Sequence, residues 1–117
     1  MNKRKTGSIY EQRAVDYLQA SAYEILVRNY RIAEGEIDII ARTGSCLVFV
    51  EVKYRCGQKF GTALAAVDRR KQRKISRVAL RYLLQENLVD KVPCRFDVIA
   101  IDGSAVTHIV QAFEYIQ

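Results

Sequence analysis

Asp38, Glu51 and Lys53 are the side chains whose types and spacing point most directly to chemistry. Gly44-Ser45 stands between two apolar runs and suits a two-residue type II′ hairpin turn. Such a turn pairs Thr43 with Cys46, and the same register sets Asp38 opposite Glu51 and Glu36 opposite Lys53. Strand side chains alternate between faces. One face then holds Ile37, Ile39, Ala41, Val48, Val50 and Val52, all apolar. The other holds Ile40 and Phe49 near the turn and Glu36, Asp38, Glu51 and Lys53 at the far end. A three-residue turn would put Asp38 and Glu51 on opposite faces.

Directly opposed carboxylates stand about 5 Å apart and repel when both ionise. A hard divalent cation such as Mg²⁺ or Mn²⁺ relieves this, because it takes oxygen ligands from one or two carboxylates and keeps several waters. Lys53 alone, in a solvated Glu–Lys–Asp cluster, is the structural alternative. Glu11 is a further candidate. On a first helix, Gly7, Glu11, Ala14, Leu18 and Ala22 share a face, so Glu11 lies on or beside the apolar stripe. A buried carboxylate needs a partner or a metal. The competing role for Glu11 is to complete a capping box with Ser8.

A second helix offers a different surface. Ile75, Val78, Ala79, Tyr82 and Leu83 form its core stripe, and extending that stripe toward the N-terminus reaches Lys71 and Gln72. Arg70, Lys74, Arg77 and Arg81 form a separate basic stripe that Arg69 and Arg73 widen. Such a stripe can track phosphates or be a solvated face.

The elements that must position these groups read in order as helix, three strands, helix and two strands. The helix covers residues 9–20. Strands follow at 24–31, 36–42 and 46–54, with a turn at Ala33-Glu34-Gly35. A loop is expected at 57–61 and a long helix from Ala63 or Asp68 to Asn87. Two last strands, 95–101 and 105–116, flank the Asp102-Gly103-Ser104 turn. Residues 1–7 are expected to be a flexible arm on a single domain.

The chain has 117 residues, half of them hydrophobic, which suffices for one buried core and excludes a disordered or collagenous protein. No run approaches the ~20 apolar residues that span a bilayer. No secretory signal is expected, so a cytoplasmic location without membrane association is. The three cysteines, Cys46, Cys56 and Cys94, have no C-x-x-C spacing, against both a disulfide framework and a zinc site. The single histidine, His108, has no histidine partner and reads as a late-strand side chain. Nineteen Lys and Arg face thirteen Asp and Glu, and this net charge of +6 is compatible with a nucleic-acid partner.

Several blocks together resemble a known family. They are Gly7-x-x-x-Glu11-x-x-Ala14, Gly35-Glu36-Ile37-Asp38-Ile39-Ile40-Ala41, Leu47-Val48-Phe49-Val50-Glu51-Val52-Lys53, Ala66-Val67 with Lys71, and Arg95-Phe96-Asp97-Val98. From Gly7 to Phe113 the chain resembles the YraN-like family of small bacterial proteins. That family is similar in pattern to the PD-(D/E)XK nucleases, in particular archaeal Holliday-junction resolvases. The resemblance implies an α/β, restriction-endonuclease-like fold, a mixed sheet flanked by helices in the order αβββαββ. It implies a site in which Glu11, Asp38, Glu51 and Lys53 meet at one end of the sheet. Ile37 stands where the nominal motif has proline, and Glu36 is an extra carboxylate.

The implied activity is metal-dependent hydrolysis of nucleic-acid phosphodiesters, with branched or structured DNA favoured. Asp38, Glu51, the Val52 carbonyl and Glu11 would hold Mg²⁺ or Mn²⁺, and Lys53 would act on the attacking water. Lys71 and Gln72 would contact the scissile phosphate, while Arg70, Lys74, Arg77, Arg81 and the arm at residues 2–5 would hold the backbone. A non-catalytic nucleic-acid-binding module and a protein-interaction subunit are the rival readings. Residues 105–116 offer an edge strand for a homodimer, and Asp97 is expected to make local hydrogen bonds at the sheet edge.

Overall fold

The computed structural model describes residues 3–55 and 67–117. Helix α1 (Lys3–Ala20) precedes strands β1 (Glu24–Ile32), β2 (Gly35–Thr43) and β3 (Cys46–Arg55). Helix α2 (Arg69–Gln85) and strands β4 (Cys94–Asp102) and β5 (Ala105–Phe113) follow. The element order is the expected αβββαββ, among the described residues. Met1, Asn2, Cys56, the loop expected at 57–61, the helix start considered at Ala63, and Ala66 lie outside the described residues.

The sheet is mixed, in the order β1-β2-β3-β4-β5. Neighbouring strands are antiparallel except β3 and β4, which are parallel. A parallel pair needs a crossover, and α2 lies within it. The β2–β3 and β4–β5 hairpins turn on glycine. Gly44 and Gly103 each have φ of +59°, and Thr43 pairs with Cys46 as Asp102 does with Ala105. Ser45 has no positive φ, which fits type II′ rather than I′ at the first turn.

Each face of the sheet is covered by one helix. Ala14, Val15 and Leu18 of α1 pack on Ile39, Ala41, Val48, Val50, Ile99 and Ile101. Ile75, Val78, Ala79 and Tyr82 of α2 pack on Ile37, Ile40, Phe49, Phe96 and Val98. The expected core stripe of α2 is thus the buried one. Its helix starts at Asp68, whose carboxylate accepts from Lys71 N at 2.9 Å as an N-cap. Ser76 is also buried; its Oγ donates to Gln72 O at 2.8 Å and accepts from Ile116 N at 3.0 Å, tying the C-terminal tail to α2.

Two expectations for α1 are corrected. The helix begins at Lys3, not at residue 9, so Ser8 is inside it and forms no capping box with Glu11. The basic residues Lys3–Lys5, expected in a flexible arm, are helical.

No helix among the described residues is long and apolar enough to cross a membrane.

Candidate active site

The β2–β3 pairing runs from Thr43↔Cys46 to Ile39↔Val50 in the expected register, and there it stops. Continued, it would bond Ile37 to Val52 across the ladder. Instead, Asp38 Oδ2 accepts the Val52 N–H at 2.8 Å. The strands part beyond this point, and a carboxylate fills the place of a backbone carbonyl.

The strand on the other side of β2 explains the change. Asn29 of β1 has φ of +54°, a left-handed conformation that asparagine tolerates. Arg28 pairs with Ile39 and Tyr30 with Ile37, but Arg28 and Ile39 face α1 whereas Tyr30 and Ile37 face α2. Alternation therefore breaks at Asn29 and Asp38. Ile37, expected beside Ile39, lies on the opposite face.

Asp38 sits at this switch and lines a cavity on each side of the sheet end. The α2-side cavity, about 380 Å³, also holds Glu51, Lys53 and Lys71. The α1-side cavity, about 620 Å³, holds Glu11, Arg28 and Tyr54. Asp38 and Glu51 thus share a cavity, although no ladder pair sets them face to face.

The charges there are crowded and half-dry. Glu51 Oε2 lies 3.6 Å from Lys71 Nζ and 3.9 Å from Lys53 Nζ. Burial, and then the Asp38 charge, push Glu51 up to about 7 against the pull of both lysines. Burial also raises Asp38, opposed by the Val52 N–H and reinforced by Glu36. Lys53 is lowered to about 8, first by burial and then by its hydrogen bond and proximity to Lys71. Burial acts to lower Lys71 too, but the bond to Lys53 and the Glu51 and Asp38 carboxylates leave it raised. Two acids that resist ionising beside an amine that releases its proton easily are the kind of group that general acid–base and metal chemistry use.

The other expected site residues fall in different places. Glu11 Oε1 accepts from Arg28 Nε at 3.0 Å and Asn29 Nδ2 at 2.9 Å on the α1 side. Gln72 Nε2 donates to Val67 O at 2.9 Å, so its amide closes the start of α2. Arg70, Lys74, Arg77 and Arg81 are exposed on α2, and Lys74 also lines the α2-side cavity. Glu36 lines both cavities and pairs with Arg31 Nη2 at 2.9 Å. Val52 lines both as well.

Asp97 and His108 lie elsewhere. The fully buried Asp97 accepts Arg95 Nε on Oδ1 and Arg95 Nη2 on Oδ2, both at 2.9 Å. His108 Nε2 is hydrogen-bonded to Asp97 Oδ2 at 2.6 Å, and its Nδ1 to Tyr17 Oη at 3.2 Å. His108 is a late-strand side chain, as expected, but the expectation did not include this network.

Among the described residues, no three His, Cys, Asp or Glu side chains are grouped so as to hold a metal ion. The residues do fit a hard cation that keeps most of its waters. Asp38 and Glu51 offer oxygen only, and both are raised by burial and by acidic neighbours that positive charge would offset.

Fold and site together define a small α/β protein: a five-stranded mixed sheet between two helices, with acids and lysines gathered where two strands separate. The chain belongs to the uncharacterised protein family UPF0102, which it matches over residues 10–101. This is the YraN-like family whose blocks it carries. It is 45% identical over 114 residues to a UPF0102 protein of Lachnoclostridium phytofermentans, covering 97% of each chain. A UPF0102 protein of Sulfurihydrogenibium is 42% identical over 113 residues, again 97% of each. One from Legionella pneumophila is 40% identical over 113 residues, covering 95% of this chain and 96% of the relative.

Proposed function

We propose that this protein is a metal-dependent endonuclease that hydrolyses nucleic-acid phosphodiesters, branched or structured DNA being the favoured substrate. The observation that carries the reading is the gathering of Asp38, Glu51 and Lys53 at the parted end of β2 and β3. Hydrolysis needs a positioned water, charge stabilisation on the phosphoryl oxygens and a neutralised leaving oxygen. Lys53 Nζ, once it has lost its loosened proton, orients the attacking water and accepts a proton from it as the new P–O bond forms, while the P–O bond to the leaving sugar oxygen breaks and solvent protonates that oxygen. Lys71 Nζ, which stays charged, faces the scissile phosphate. Asp38, Glu51 and the Val52 carbonyl would hold Mg²⁺ or Mn²⁺, which supplies Lewis-acid charge to the phosphate. Glu11, tied to Arg28 and Asn29, acts through water.

Cleavage of branched and flapped DNA with Mg²⁺ or Mn²⁺ tests this. Asp38→Ala and Glu51→Ala should each lower the rate by at least about a hundredfold while the circular dichroism of the fold is kept. Wild-type cutting by both variants would overturn the assignment.

A second reading, a binding module without turnover, is favoured by one feature. Asp38 and Glu51 already have partners within the chain, in the Val52 N–H and the two lysines. It predicts salt-sensitive oligonucleotide binding with no cleavage under any divalent ion.

A further inference from the structure

The α1-side cavity has a wall that the proposed hydrolysis does not use. Tyr54, two residues beyond Val52 on β3, lines it. Its ring stacks on Tyr10 of α1 with centroids 4.4 Å apart and planes 6° from parallel. The Arg13 guanidinium lies 5.8 Å from the Tyr10 ring centroid. Although stacked, Tyr54 remains 37% exposed. The cavity beside this platform, about 620 Å³, is within the roughly 300–1,000 Å³ of pockets that enclose small organic ligands. Arg28, Asn29 and Glu11, joined through Glu11 Oε1, also line it with polar atoms. A stacked aromatic pair with a nearby arginine and edge-directed polar groups is what an unpaired nucleobase needs: a π-face to lie on, and groups to meet its edge.

The cavity is also connected to the basic surface. Asp38, Val52 and Glu36 line both it and the α2-side cavity, so the two flank the same end of the sheet. Lys74 belongs to both the α2-side cavity and the exposed stripe of Arg70, Arg77 and Arg81. One route therefore runs from the stripe, past Asp38, to Tyr54. In a continuous duplex the bases are stacked on one another and cannot turn onto a protein ring without leaving the stack.

We infer that this route takes a single strand of nucleic acid, with its phosphates on α2 and one unpaired base lodged in the α1-side cavity against Tyr54, which Tyr10 backs. The preferred substrate is thus one with an unpaired segment beside the scissile bond, such as a flap or an open junction. The inference rests on the proposed nucleic-acid reading but not on turnover.

Binding in the presence of EDTA tests it without cleavage, using a flapped duplex and a fully paired duplex of equal length. Tyr54→Ala should weaken binding of the flapped duplex by about tenfold, the loss of one base stack. Paired-duplex affinity should not change, and Tyr54→Trp should restore the flap preference. In the wild-type protein, 5-iodouracil in the flap should photocrosslink to Tyr54, whereas the same base inside the paired duplex should not. Equal affinities of wild type and Tyr54→Ala for the flap, crosslinks on other residues only, or no oligonucleotide binding at all would overturn the inference. Flap binding and crosslinking without metal-dependent cleavage would leave it standing and overturn only the catalytic reading.

Discussion

Glu51 is the residue on which stability and site chemistry compete. Its carboxyl is pushed up to about 7 in the fold, from an ordinary 4.5, by burial and by Asp38. A carboxyl raised in the folded state favours the fold most when protonated. Its contribution is therefore full below about pH 4.5 and is lost as the pH rises through about 7. With chelator present, the wild type should lose roughly 2 to 3 kcal/mol relative to Glu51→Gln between pH 5 and pH 8. Urea titrations of the two proteins across that range measure this, and parallel curves would refute it. Lys53 titrates in a separate window: with its value lowered to about 8, its contribution is full above about 10.5 and is lost as pH falls through 8. If Mg²⁺ binds at Asp38 and Glu51, it must displace the Glu51 proton. The rise in melting temperature on adding Mg²⁺ should then be larger at pH 8 than at pH 6 and small in Glu51→Gln. The hairpin register from Thr43↔Cys46 to Ile39↔Val50 was legible in the sequence, because a two-residue glycine turn fixes it, but the expected Asp38–Glu51 ladder pair is not formed. The Asp38 bond to Val52 was not legible, because alternation assumes an unbroken ladder and left-handed Asn29 in the neighbouring strand breaks it.

At the scale of elements, the edge hairpin of β4 and β5 depends on a buried polar network. The β4–β5 register slips between Phe96 and Val98, and Gln111 in the slip has φ of +53°. Asp97 Oδ1 accepts the Gln111 N–H at 3.0 Å, which holds the bulge in place. Burial alone would raise Asp97, but the hydrogen bonds of His108 and Arg95 outweigh it and keep the carboxylate below its usual range. Removing it leaves the Arg95 charge unpaired in a mostly buried place. Asp97→Ala should therefore destabilise the fold by about 3–5 kcal/mol, and an unfolding free energy from urea titration within about 1 kcal/mol of wild type would show that the network matters little. Sequence order cannot reveal such a network, since Tyr17, Tyr23, Arg95 and His108 come from α1, the α1–β1 connection, β4 and β5. The helices and strands themselves were legible because their apolar periods differ, 3.6 against 2. The start of α1 was not: Ser8 and Glu11 have capping-box spacing, but helix continues before them, and Glu11 is drawn across to Arg28 and Asn29.

Across the whole molecule, the excess of positive charge has a direction. Arg70, Lys74, Arg77 and Arg81 run along the exposed side of α2, while the apolar side of that helix is sealed on the sheet. The acids of the site lie at the end of the sheet, where Lys71 and Lys53 partly neutralise Glu51. Lys74, which belongs to the stripe and lines the α2-side cavity, stands between the two. If the stripe binds phosphates, removing each arginine that neutralises one should flatten the dependence of log K on log salt by about 0.7–0.9. The triple replacement of Arg70, Arg77 and Arg81 by alanine should then reduce that slope by about 2–3, for flapped and paired DNA alike. The flap preference should survive, because Tyr54 and Tyr10 stand on the other face of the sheet, where α1 packs. A solvated stripe with no ligand predicts an unchanged slope. Loss of the preference together with the slope would mean that one surface, not two, recognises the substrate. Measured against Tyr54→Ala, the triple variant separates the charge that holds the strand from the rings that select it.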